Sequence, residues 1–202
     1  MVIQRIVFNK TAKIRAENEE IIVRFSNLCE ILFDARNSYE LWWVYLKEKG
    51  RKENFQVFLE YVAVFETMGY SSISNLIVNL YKLYDKQKSV YSILDLLKDI
   101  EKRNLLSKAE KKIVDKNLDF SLDVWAKVLK LRHNLFAHRN KDLTVKQIYD
   151  RAGVTPNNLR DMTKHTLELL NCIAPKLCES KRKFHRGVIK DFLRLLKKLK
   201  NG

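Results

Sequence analysis

Glycine and proline are scarce, with five and two among 202 residues. That excludes a collagen-like chain. It also argues against a turn-rich sandwich or barrel, which needs a turn signal roughly every 8–12 residues. Cysteine is sparse too. Cys29, Cys172 and Cys178 cannot all pair, and their spacing matches no zinc pattern, so free buried thiols in a reducing compartment are expected. No apolar run approaches the ~18 residues of a bilayer span. The opening MVIQRIVFNKTAK lacks a long apolar core and a small-residue cleavage site, so the expectation is a cytoplasmic chain without a signal peptide and without a membrane partner. There is no phosphate-cradling glycine loop and no nucleophile elbow. Acids are outnumbered, 24 Asp and Glu against 39 Lys and Arg, for a formal charge of +15. A field of that sign favours polyanions: nucleic acid, an anionic membrane or an acidic protein.

What is present is helix-forming. Apolar residues are 46% and charged residues 31%, the balance of a globular chain rather than a disordered one. The expected fold is all-α, in one domain over residues 1–202. Val2, Ile3, Ile6, Val7 and Phe8 fit a short strand or an arm. From Ala12 to Lys49, Ile14, Ile21, Phe25, Leu28 and Leu32 recur at helical spacing, with Gly50 as the expected C-terminal cap. Phe55 to Tyr84 is the next helical region, with Gly69 as an expected kink or break. Ser89 can open a shorter helix through Ile93, Leu97 and Ile100. Ser107-Lys-Ala-Glu110 and Thr144-Val-Lys-Gln147 have the capping-box form. The first opens a helix to about Arg139; the second opens one that stops at Gly153. Thr155-Pro156 places a cap before a proline at the first helical position, and Pro175 should end or kink that helix.

The last stretch, Lys181 to Gly202, holds nine Lys and Arg against one acid, so +8 of the +15 sits there. Val188, Phe192, Leu195, Leu196 and Leu199 still make an apolar stripe. A docked helix with a solvated basic face, a nucleic-acid contact and a membrane-surface helix are the three readings open to it.

One segment breaks the helical pattern: Leu131-Arg132-His133-Asn134-Leu135-Phe136-Ala137-His138-Arg139-Asn140-Lys141-Asp142. It carries two of the four histidines, the side chain whose ordinary pKa suits general acid–base work near neutrality. At about 100° per residue, Asn134 and His138 share a helix face, about 40° apart. Arg132 and His138 point about 120° apart and lie about 9 Å apart along the axis. One straight helix cannot easily aim both at one phosphate, whereas two copies about a twofold axis can pool them in one cleft. His133 and His138 lie about 140° apart, which fits no helical metal pair, so no metal or other cofactor is expected. The structural alternative is a helix C-terminus whose cations complement the macrodipole.

The Arg132 to His138 spacing, five residues between them with polar His133 directly after the arginine, resembles the signature of the HEPN superfamily (higher eukaryotes and prokaryotes nucleotide-binding). The string RHNLFAHRNKD and the upstream NLIVNLYKLYDKQKSVYSILDLL are similar to Abi-U, abortive-infection type HEPN proteins. The resemblance covers about residues 15–180, leaving the basic C-terminal helix 181–202 outside it. It implies a HEPN-like helical bundle with additional N- and C-terminal helices that forms a homodimer and cuts RNA without metal, in phage defence or as a toxin. Arg132 and His138 would then be catalytic, His133 and Asn134 would support them, and Arg139 and Lys141 would attract RNA. An antitoxin or other neutralising protein is a candidate partner. HEPN toxins paired with a nucleotidyltransferase antitoxin carry a Tyr just after the His; here Arg139, Asn140 and Lys141 follow, so modification there is not expected. A non-catalytic HEPN-like module that binds RNA or protein is the alternative, and a plain helical interaction protein is a third.

Among other residues, Tyr39, Trp42, Trp43 and Tyr45 are expected to pack. Asp85 is expected to cap a helix or to sit near the cleft. His165 falls mid-helix and His185 in the basic tail.

Overall fold

The computed structural model describes residues 19–87, 90–134 and 145–201. Helix α1 (Glu19–Leu46) buries Ile21, Phe25, Leu28, Leu32, Ala35 and Tyr39. Alternating steps of four and three residues put them on one stripe. Helix α4 (Val62–Leu83) buries Ile73, Leu76, Ile77, Leu80 and Leu83 by the same rule. Helix α6 (Lys108–Arg132) uses Val114, Asn117, Ser121, Val124, Val128 and Leu131. Helix α8 (Pro156–Ile173) uses Leu159, Met162, Thr166, Leu169, Leu170 and Ile173. These stripes meet in one core. Each fully buried Leu, Ile or Phe there contributes about 1.5–3 kcal/mol relative to exposure. No strand occurs among the described residues, and the all-α expectation holds.

The four long helices pack in a ring: α1 against α4 and α8, and α6 against α8 and α4. Directions follow from side-chain pairs. Asn75 on α4 donates to Ser38 Oγ on α1 at 2.8 Å, while Gly69 faces Tyr45, so α1 and α4 run antiparallel. His165 Nδ1 lies 2.6 Å from Asn117 Oδ1, and the Cys172 thiol donates to the Glu110 carbonyl at 3.8 Å. Helices α6 and α8 are therefore antiparallel too. At the end of α4 the buried Tyr84 hydroxyl bonds Thr166 Oγ1 of α8 at 2.8 Å. Burial pushes that phenol up to about 12, so it remains a neutral hydrogen-bonding group.

Local chemistry sets most helix ends. Ser107 and Glu110 form the expected capping box of α6. Thr155, with Pro156 at the first position, caps α8. Helix α7 (Val145–Ala152) ends where Gly153 takes φ 64°; Thr144, its expected cap, lies outside the described residues. Pro175 ends α8 as expected: the helix stops at Ile173, and a 3₁₀ turn, Ala174–Leu177, follows.

Three expectations are corrected. Helix α1 stops at Leu46, and Gly50 lies inside a short helix, α2 (Glu48–Glu53), rather than capping α1. A Cβ on Gly50 would lie 2.6 Å from the Val44 carbonyl oxygen, so glycine is required there for close approach. The next region breaks at Tyr61, between α3 (Phe55–Glu60) and α4. Gly69 does not break it; it sits within α4, leaving room for the Tyr45 ring. Finally, α5 (Ile93–Lys102) is capped by Ser92, whose N–H and hydroxyl both bond Asp95. Ser89 lies outside the described residues, as does the apolar segment Val2 to Phe8.

The basic tail forms α9 (Gly187–Asn201). Phe192 and Leu196 are buried in a second apolar cluster with Val57 and Phe65. Lys190, Arg194, Lys197 and Lys198 face solvent. This is the docked helix with a basic outer face. The aromatic residues of α1 also pack: Tyr39 stacks on Trp43 at 6.0 Å, and Tyr45 meets Phe58, Phe65 and Phe192.

Candidate functional site

Arg132 closes α6. Seven residues earlier on that helix is Trp125, about 20° away around the axis, so both side chains leave on one stripe. That stripe meets the end of α4. The Trp125 indole N–H donates to the Tyr81 carbonyl at 3.1 Å, and the two rings stack at 6.1 Å with 18° between their planes. The Arg132 guanidinium carbon lies 4.1 Å from the Tyr81 ring centre. Such a cation–π contact is worth about 0.5–1 kcal/mol when exposed and about 2 when desolvated. Arg132 is half-buried, and Tyr81 is buried.

Tyr81 is held in turn by Asp85, one helical turn further on. Asp85 is buried at 6% exposure, and its Oδ1 accepts the Gln87 N–H at 3.1 Å. Asp85 thus makes the local turn expected of a capping residue and also stands beside the Arg132 stack. Burial first, then the charge and hydrogen bonding of the Asp85 carboxylate, push the Tyr81 phenol up; the Arg132 charge works against them. The phenol therefore stays protonated at neutral pH and can donate to Asp85.

Beyond Arg132 the helix loosens into a π-type turn at His133 and Asn134. The His133 N–H is shared between the Leu129 and Lys130 carbonyls. Asn134 Nδ2 donates to the Lys130 carbonyl at 2.9 Å, so these two residues satisfy acceptors that a helix end leaves open. His133 is exposed. His138, Arg139 and Lys141 lie outside the described residues. Arg132 is accordingly brought together with Tyr81 and Asp85, and Asn134 is turned back onto its own helix.

In the sequence, Tyr81 and Trp125 look like ordinary members of apolar helical stripes. The signal that finds them is the seven-residue spacing of Trp125 and Arg132, combined with Asp85 one turn after Tyr81. His165, by contrast, is structural: it bonds Asn117, and its ring lies 4.1 Å from that of Phe120. His185 is exposed in the tail. Cys29, Cys172 and Cys178 are free thiols, and burial pushes Cys29 up to about 11, which makes it a poor nucleophile. No helix among the described residues is long and apolar enough to cross a membrane.

The family model of AbiU2 HEPN domains matches residues 18–177. The match takes in every helix of the ring and the Arg132 to His138 segment, and it stops before α9. Comparison with curated proteins and with solved structures returns no match. A family match over residues 18–177 of 202 settles membership: the chain belongs to the AbiU2 family of HEPN domains.

Proposed function

We propose that this chain is a metal-independent endoribonuclease of the HEPN type, acting as a homodimer in abortive infection or as a toxin. The observation that carries the reading is the Arg132 guanidinium lying on the Tyr81 ring. A guanidinium stacked on a ring keeps its in-plane N–H edge for a bidentate phosphate contact. It does so at the start of the segment that contains His138.

In the proposed reaction the ribose 2′-oxygen attacks the adjacent phosphorus. The bond from phosphorus to the 5′-oxygen breaks, leaving a 2′,3′-cyclic phosphate and a 5′-hydroxyl. His138 takes the 2′-hydroxyl proton or delivers one to the leaving 5′-oxygen, and the second subunit's copy of the same residue fits the other role. Arg132 stabilises charge that develops on the phosphate oxygens. His133 and Asn134 support the pair, and Arg139 and Lys141 add salt-dependent attraction for RNA.

The test is cleavage of single-stranded RNA by purified protein in excess chelator, for the wild type, Arg132→Ala and His138→Ala, with helicity followed by circular dichroism. The reading expects cleavage by the wild type only. Cleavage that persists in both variants contradicts it, and RNA binding without cleavage moves the chain to the non-catalytic alternative.

A further inference from the structure

Three cations in this part of the molecule each rest on an aromatic face. Arg132 lies on Tyr81 at 4.1 Å, Lys86 Nζ lies over Trp125 at 5.7 Å, and the Arg24 guanidinium carbon lies over Tyr91 at 4.5 Å. The first two pairs are joined, because Tyr81 and Trp125 stack on each other. Lys86 of the second pair and both members of the third line one open groove of about 640 Å³, together with Lys98 and Lys102, with Asp95 and Asp99 as its acids. Both acids are engaged. Asp95 pairs with Lys98 at 2.9 Å, and Asp99 accepts from the Tyr91 hydroxyl at 3.0 Å with Arg24 at 3.8 Å. Lys86 and Lys102 are exposed and form no ion pair among the described residues.

We propose that Lys86, Trp125 and the adjoining groove are a second substrate subsite, which holds the single-stranded RNA flanking the phosphate at Arg132. Alternating cations and rings are what sequence-tolerant single-strand binding uses: the exposed Lys86 chain swings from the Trp125 ring to a phosphate, and a base takes its place on the ring. A duplex offers no free base faces, so the subsite selects unpaired RNA. The inference rests on the ribonuclease reading for its orientation toward Arg132, but it concerns binding and is measured without cleavage.

The probe is a single-stranded RNA of about ten nucleotides, within the range of single-strand sites, with every 2′-hydroxyl methylated so that it cannot be cut. Affinity is measured against salt for the wild type, Lys86→Ala, Lys86→Arg and Lys102→Ala. Both lysines are exposed, so these variants fold. A Trp42→Phe/Trp43→Phe background leaves Trp125 as the fluorescent reporter. The proposal expects Lys86→Ala to weaken binding several-fold and to reduce the slope of log affinity against log salt by about 0.7, one phosphate on a single strand. Lys86→Arg should restore both, Trp125 emission should change on binding, and a duplex of equal length should bind more weakly. It is overturned if Lys86→Ala and Lys102→Ala bind as the wild type does, or if the duplex binds equally well. Equal competition by polyglutamate of the same charge also overturns it and assigns the groove to an acidic protein. A wild type that binds through Lys86 yet never cuts unmodified RNA sinks the nuclease reading alone. One that cuts RNA with Lys86→Ala indistinguishable sinks the subsite alone.

Discussion

The guanidinium carbon of Arg132 stands 4.1 Å from the centre of the Tyr81 ring, across 51 positions of chain. The ring supplies a flat seat, and the buried Asp85 carboxylate one turn further on supplies an acceptor for the phenol. Among the described residues no carboxylate pairs with the Arg132 N–H groups, so the ring is what orients the arginine there. Tyr81→Leu removes the seat, and RNA cleavage should fall roughly five- to thirty-fold, the equivalent of about 1–2 kcal/mol of cation–π contact. Tyr81→Phe keeps the ring and should retain most activity. Single-turnover rates on RNA, with KM measured alongside, check this. Equal losses in both variants would show that the hydroxyl, not the ring face, carries the effect.

Gly50 gives a stability prediction. A methyl group there would meet the Val44 carbonyl oxygen at 2.6 Å, and a backbone oxygen cannot swing aside as a side chain can. Gly50→Ala should therefore cost about 1–3 kcal/mol, the usual range for overpacking, although alanine is the better helix former. Urea unfolding followed by circular dichroism reads the difference. An unchanged or raised midpoint would mean that the α1 to α2 corner opens readily.

How much of this was legible beforehand follows from how local each feature is. The capping boxes at Ser107 and Thr155 could be read directly because all their partners lie within three residues. The long stripes were equally readable, since a 3.6-residue period is itself local. The break at Tyr61 and the placement of Gly50 were not, because both depend on how the short helices fold back against α1 and α4. Arg132 stood out by its spacing to His138, but its seat on Tyr81 could not. That contact joins α4 to α6, and periodicity carries no information about which helix a stripe will meet. Ser89 and Ser92 precede the same apolar run, and what separates them is Asp95, three residues after Ser92, which completes the capping box.

The tail helix should behave as a separable layer. Phe192 is 5% exposed and packs on Phe65 and Tyr45, with ring centres 6.4 and 6.0 Å away. Phe→Ala in a well-packed core costs about 3–5 kcal/mol, but a terminal helix can undock before the whole chain unfolds. Phe192→Ala is therefore expected to expose the lysines of α9 to rapid trypsin cleavage while the ring of α1, α4, α6 and α8 keeps its cooperative unfolding. A global midpoint that falls by the full core penalty would show that α9 is integral to the bundle.

Glu110 ties the start of α6 to the end of the chain's core. Its carboxylate pairs with Lys176 at 2.8 Å and accepts from Ser107. Lys176 first, then Ser107, hold it down to about 2 from an ordinary 4.5. Because the folded value lies below the unfolded one, its contribution is complete above pH 4.5 and is lost as pH falls toward 2. Glu110→Gln should flatten the acid limb of stability in that window and leave the neutral-to-alkaline shape unchanged. Thermal midpoints across pH 2–7 for the two proteins decide it, and parallel curves would mean that the pairing adds nothing to acid sensitivity.

The central claim is chemical, and the cut ends test it most directly. Unmodified single-stranded RNA is incubated with wild type, Arg132→Ala and His138→Ala in excess chelator, and the new 3′ ends are identified by mass. The account predicts 2′,3′-cyclic phosphate ends from the wild type and none from either variant at matched helicity. Ends bearing a 3′-hydroxyl, or cyclic ends from all three proteins alike, would contradict it.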